Sequence, residues 1–93
     1  IEQLKRLSLP DRPGVYRMLT KTGEILYVGK ATSLKDRVNS YFRGKKGRDR
    51  KKLEMLAQVW NFKITETRSA LEAAVLETDE IKKHNPRYNN LLK

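Results

Sequence analysis

Apolar positions recur with two periods along the chain. Near the start the period is two. Val15-Tyr16-Arg17-Met18-Leu19-Thr20 and Ile25-Leu26-Tyr27-Val28 read as strands, joined as a hairpin through Thr20-Lys21-Thr22-Gly23-Glu24. A turn centred on Thr22-Gly23 sets Met18 opposite Tyr27 and Tyr16 opposite Gly29. Tyr16 and Tyr27 then become diagonal neighbours on one sheet face, with Gly29 leaving open space opposite Tyr16; a slip of one residue would separate them. Ile25 to Val28 is apolar on both faces, which predicts a central strand covered on both sides. Trp60, Phe62 and Ile64 alternate with Asn61, Lys63 and Thr65, the pattern of a half-buried edge strand; Trp60 is expected to anchor the core, with stacking on a nucleic-acid base as the lesser reading.

Elsewhere the period is helical. Ile1 to Leu9 reads as a short helix stopped by Pro10, and Asp11-Arg12-Pro13-Gly14 as the loop into the first strand. Ser33, with Asp36 three residues on, has capping-box form and opens a helix to about Phe42 whose stripe is Leu34, Val38 and Tyr41, with Arg37 on its edge. A third helix carries Leu53, Leu56, Ala57 and Trp60. Ser69 and Glu72 make a second capping box, opening a helix to about Lys83 that Asn85-Pro86 ends, before a short tail Arg87-Tyr88-Asn89-Asn90. This order predicts an α/β (α+β) fold: a three-stranded mixed or antiparallel sheet flanked by helices, in one domain spanning 1–93 with a single modest core.

Charge narrows the function classes. The 93 residues carry 21 Lys and Arg against 11 Asp and Glu, a formal charge of +10, which favours a polyanionic partner: nucleic acid first, an anionic membrane second. Arg43 to Lys52 reads RGKKGRDRKK; it is either a solvated loop or, beside the hairpin, a phosphate-binding segment that includes Arg43, Lys45, Lys46, Arg48 and Arg50. No cysteine is present, which excludes disulfides and thiolate zinc sites and makes an intracellular, cytoplasmic setting the expectation. No apolar run approaches a membrane span.

On a helical wheel, Leu71, Ala74, Val75, Thr78 and Ile81 form the expected buried stripe of the last helix, with Glu72, Asp79 and Lys83 opposite. Glu77 sits at the apolar margin among Ala73, Ala74 and Ile81. A carboxylate there needs a partner: either a Lys or Arg, or a divalent cation such as Mg²⁺, which is often held by one or two carboxylates and several waters. Gly29-Lys30 follows a strand, but Glu24 stands where a Walker loop needs glycine, so a nucleotide P-loop is rejected. His84 near a helix end reads as a dipole partner.

Taken together, Gly14-Val15-Tyr16, Tyr27-Val28-Gly29 eleven residues on, Arg37 and the late Glu77 resemble a GIY-YIG nuclease domain over nearly the whole chain. Tyr27-Val28-Gly29-Lys30-Ala31, Tyr41-Phe42 and Pro86-Arg87-Tyr88-Asn89 look most like the excision-repair UvrC and Cho branch. The resemblance implies a three-stranded antiparallel sheet and metal-dependent hydrolysis of a DNA phosphodiester to nick one strand in nucleotide excision repair. It also implies one Mg²⁺ or Mn²⁺ ion, a monomeric domain of a longer repair protein, and a damage-recognition partner of the UvrB type. Carried onto this chain, Glu77 would hold the metal and Tyr27 would act on the attacking water, with Tyr16 hydrogen-bonding beside it. Lys30 and Arg37 would bind phosphate, and Tyr41 and Asn89 match further active-site positions. A free phenol is a poor base at neutral pH, so nearby cations and a metal-bound water are expected to favour its ionised form or ease a proton relay, and Lys30 could share the role. The acidic Asp79-Glu80 pair departs from that branch, which is less acidic there. The rival readings are a non-catalytic DNA-binding repair scaffold, which the intact Tyr16, Tyr27, Arg37 and Glu77 oppose, and a stand-alone GIY-YIG nuclease.

Overall fold

The structure, a computed structural model, describes residues 9–41 and 50–91. The expected helix over Ile1 to Leu9 falls almost wholly outside them, as do Arg43, Lys45, Lys46 and Arg48. Strands β1 (Gly14–Leu19) and β2 (Ile25–Ala31) form the expected hairpin. Helices α1 (Leu34–Ser40) and α2 (Arg50–Gln58) follow, then β3 (Asn61–Glu66), α3 (Ala70–His84) and the short α4 (Arg87–Leu91). All pairings are antiparallel, in the order β2-β1-β3.

The hairpin register is the one the turn chemistry predicts: Tyr16 pairs with Gly29 and Met18 with Tyr27. Gly23 adopts φ 93°, a conformation that favours glycine, and the turn closes by Gly23 N–H donating to the Thr20 carbonyl at 3.0 Å. The register then shifts between Met18 and Leu19, so that Leu19 meets Ile25 and Leu26 has no partner. This bulge lets the adjacent Leu26 and Tyr27 pack into the same cluster.

That cluster lies on one sheet face, where Tyr16, Met18 and Phe62 meet Leu34 and Val38 of α1, Met55 of α2 and Tyr88 of α4. On the other face Val15 and Val28 meet Ala73 of α3, with Ile25, Leu76 and Ile81 around them. Each fully buried aliphatic side chain contributes about 1.5–3 kcal/mol relative to exposure. Both capping serines work as predicted: Ser33 Oγ accepts from Asp36 N–H at 3.2 Å and Ser69 Oγ from Glu72 N–H at 3.1 Å. Asn85, in the left-handed region, stops α3 before Pro86.

Several expectations are corrected. β1, not β2, is the middle strand. β2 is covered on both faces as predicted, but its outer edge is closed by side chains instead of a third strand. Trp60 is 51 % exposed, outside the core. It precedes β3 at the turn end of the sheet, and Phe62 fills the inward position instead. On α2 the buried side is Met55, with Val59 following, while Leu53 and Ala57 face solvent.

On α3 the inward face runs through Ala73, Leu76, Glu77, Glu80 and Ile81, and Leu71 and Val75 point outward at 76 % and 56 % exposure. The small Ala73 lets the helix sit close to β2. Both glutamates turn inward because partners wait there: Lys30 N–H for Glu77, and the Arg17 guanidinium, 2.5 Å from Glu80. Glu80, the unusual acid of the Asp79-Glu80 pair, therefore pins α3 to β1. The expected tail is the helix α4, and it buries Tyr88.

Candidate active site

The Tyr16-Gly29 pairing shapes one wall of a cleft of about 300 Å³. Tyr16 does not leave the space over Gly29 open. Its own ring lies across the glycine, where a Cβ would collide with the phenol carbons and oxygen. The ring is 2 % exposed, and its hydroxyl shares a 2.8 Å hydrogen bond with the Tyr41 hydroxyl at the C-terminal end of α1. Tyr27 stands beside it with ring centroids 6.2 Å apart; Tyr41 meets Tyr16 edge-on at 5.9 Å, and Phe62 backs the group.

Around these phenols the cleft gathers Lys30 from β2, Arg37 from α1 and Glu77 from α3. Glu77 forms no ion pair among the described residues. Its Oε2 accepts the backbone N–H of Lys30 at 2.9 Å, a charge-assisted bond that fixes the carboxylate at the edge of β2. Among the described residues, the ordinary salt bridge is therefore not the reading of this glutamate that is realised.

Burial sets the electrostatics of the phenols. Tyr16 is held far above the ordinary phenol value, by desolvation first, then by Tyr41 and its hydrogen bond and by Tyr27, against a smaller opposing pull from Arg37. Tyr27 is raised by desolvation, then by Tyr41 and the Glu77 carboxylate, again with Arg37 opposing. Among the described side chains, the neighbouring cation Arg37 acts in the expected direction but is the smaller influence. Burial and Glu77 outweigh Arg37.

The donor set fits a hard, oxygen-seeking divalent ion. Among the described residues no three His, Cys, Asp or Glu converge, so no closed protein cage forms. One oriented carboxylate in a roomy, cation-rich cleft suits Mg²⁺, which keeps several waters and takes further ligands from phosphate.

Asn89 does not line the cleft. Its amide accepts Val28 N–H at 2.8 Å and donates to the Val28 carbonyl at 2.9 Å, bracing β2 from outside beside the site. Arg50 is exposed at the start of α2 and lies outside the cleft lining. Lys52, one turn of α2 before the buried Met55, lines the cleft with it. Lys52 was not singled out within the basic run; its spacing to Met55 and Val59 was the available signal.

A three-stranded sheet that sets phenols, cations and one braced carboxylate around an open cleft defines a small α/β domain equipped to hold a phosphate ester. The model of the UvrC-like GIY-YIG domain matches residues 12–90. UvrABC system protein C of Clostridium acetobutylicum is 50 % identical over 91 residues, covering 98 % of this chain, and that of Francisella tularensis subsp. novicida 54 % over 86 residues, covering 92 %. The chain spans 14 % of the length of each of these relatives. The N-terminal GIY-YIG endonuclease domain of UvrC from Thermotoga maritima, bound to its catalytic magnesium, superposes with a TM-score of 0.82 at 30 % identity, covering 95 % of this chain and 97 % of that one. A tyrosine-to-phenylalanine variant of that domain with its catalytic cation matches equally well at 29 % identity, covering 95 % of this chain and 96 % of that one. This chain belongs to the UvrC-like GIY-YIG domain family.

Proposed function

We propose that this chain is a metal-dependent endonuclease domain that nicks one DNA strand in nucleotide excision repair, as one domain of a longer cytoplasmic protein. The observation that carries this is the Glu77 carboxylate, oriented by Lys30 N–H and facing the same cleft as Tyr27, Lys30 and Arg37. Glu77 would hold one Mg²⁺ or Mn²⁺ ion, which would supply Lewis-acid polarisation of a phosphate oxygen there.

The chain's own groups do the rest. Lys30 and Arg37, with Lys52 from the opposite wall, draw the scissile phosphate in and stabilise the charge that grows on its oxygens. Tyr27 orients the attacking water; to take the water's proton its phenol must first pass its own proton to solvent, and Lys30 can share the role. As the new P–O bond forms, the opposing ester bond breaks and its oxygen leaves as a sugar hydroxyl after taking up a proton. Tyr16, tied to Tyr41 and seated on Gly29, fixes the wall against which Tyr27 works. Asn89 acts as a positioning residue through Val28. Among the described residues no element reads base edges, so contact is to the backbone and site choice belongs to other domains or to a damage-recognition partner of the UvrB type.

The test is nicking of damaged supercoiled plasmid, with that partner present, with and without Mg²⁺ or Mn²⁺. Glu77→Gln, whose amide oxygen still accepts the Lys30 N–H, should abolish nicking. Tyr27→Phe should lower it by about 10²–10⁴-fold. Nicking by both variants at the wild-type rate would refute the assignment.

A further inference from the structure

A second cleft of about 520 Å³ lies at the turn end of the hairpin, outside the catalytic cleft. Its defining feature is Trp60, an indole 51 % exposed where the sequence pattern placed it in the core. Lys21 holds its ammonium 5.3 Å from the indole centroid. Lys63 of β3 and Lys83 of α3 line the same cleft, and among the described residues Lys21, Lys63 and Lys83 form no ion pair. The acid in the lining, Glu80, is already taken up by Arg17 at 2.5 Å and faces His84 at 3.8 Å, so it leaves the cleft net basic.

A large exposed aromatic ring ringed by unpaired cations matches the chemistry of a nucleotide: the ring for a base, the ammonium groups for the phosphates on either side. A paired base has its faces stacked within the duplex and cannot use the ring; an unpaired base can. We propose that this cleft binds an unpaired nucleotide of the DNA strand, its base stacked on Trp60 and its flanking phosphates on Lys21, Lys63 and Lys83. Along α3, Glu77 lines the catalytic cleft and Lys83 this one, ~9 Å of helix rise apart. Tyr16 lines the catalytic cleft and the next residue of β1, Arg17, lines this one, so the two open on opposite faces of the sheet and the nucleotide is held away from the phosphate that is cut. This extends the nuclease reading to substrate form without depending on cleavage.

Trp60 is the chain's single tryptophan, so its fluorescence reports the site directly. Oligothymidylate is titrated in EDTA, where cleavage plays no part, with fluorescence followed for wild type and anisotropy of labelled oligonucleotide for all variants. Quenching of Trp60, tighter binding of the single strand than of a duplex of equal length, and about tenfold weaker binding by Trp60→Ala with Trp60→Phe close to wild type are expected. Lys63→Ala with Lys83→Ala should flatten the log-affinity against log-salt slope by roughly 0.7 per lysine. Unchanged fluorescence while the oligonucleotide binds, or equal affinity for wild type and Trp60→Ala, would overturn the proposal. Neither result bears on nicking, which Glu77→Gln tests separately.

Discussion

The contact between Tyr16 and Gly29 supplies the sharpest test of how the cleft is built. In an ordinary strand, replacing glycine by alanine stabilises by about 0.5–1 kcal/mol. At Gly29 the new Cβ would land on the Tyr16 ring. That ring is 2 % exposed and packed by Tyr27, Tyr41 and Phe62, so any swing away from the glycine disturbs those ring contacts. Overpacking of this kind costs about 1–3 kcal/mol, and displacing the ring also breaks its 2.8 Å bond to Tyr41, worth ~1 kcal/mol. Gly29→Ala should therefore destabilise by about 1–3 kcal/mol net, lowering Tm by roughly 4–8 °C for each kcal/mol. The decisive measurement is a double-mutant cycle by thermal or urea melts with Tyr16→Leu, which removes the colliding atoms. In that background Gly29→Ala should be neutral or mildly stabilising. An equal penalty in both backgrounds, or a wild-type Tm for Gly29→Ala alone, would refute the ring-over-glycine argument.

Two further outcomes are expected. The Arg17 hydrogen bond is the main reason the Glu80 carboxyl titrates below its ordinary value of 4.5, with burial opposing it and the charges of Arg17, His84 and Lys83 assisting. A lowered folded value gives stability that is fully present above the ordinary value and is lost as pH falls through the folded one. Glu80→Gln should thus melt below wild type at pH 7, by about 1–2 kcal/mol, and the two curves should converge as pH drops below 4.5; a gap that persists in acid would mean the pair contributes nothing. Asn89→Ala frees Val28 N–H and C=O together and should cost about 1–3 kcal/mol, while Asn89→Asp, which sets an oxygen against the Val28 carbonyl, should not restore the melt to the wild-type value.

The hairpin was legible because its information is local. The Gly23 turn and the spacing of Tyr16, Tyr27 and Gly29 fix the register without reference to the rest of the chain. The capping serines Ser33 and Ser69 are legible for the same reason. The faces of α2 and α3 were not. A wheel weights Leu71 and Val75 by hydrophobicity, but the helix is oriented by Ala73, which allows close approach, and by Glu77 and Glu80, whose partners on β2 and β1 appear only in three dimensions. Trp60 was misread on the same assumption that size implies burial. Glu77 was recognised as a carboxylate in need of a partner, but that its partner is a backbone amide on β2 follows only from the fold. Lys52 was hidden inside a run of like residues, where composition gives no reason to prefer one lysine.

The outer edge of β2 has a consequence for how this domain joins larger assemblies. A bare edge strand is a template on which another chain can add a strand. Here Val28 N–H and C=O are taken by the Asn89 amide and Lys30 N–H by the Glu77 carboxylate, so two side chains complete a ladder that has no strand on that side. Strand addition along β2 would have to unseat the same carboxylate assigned to the metal, making sheet growth on that side and cleavage mutually exclusive. Any partner that extends the sheet by strand pairing must therefore add to β3, on the far side from the cleft, leaving the edge beside the cleft free for the proposed DNA substrate.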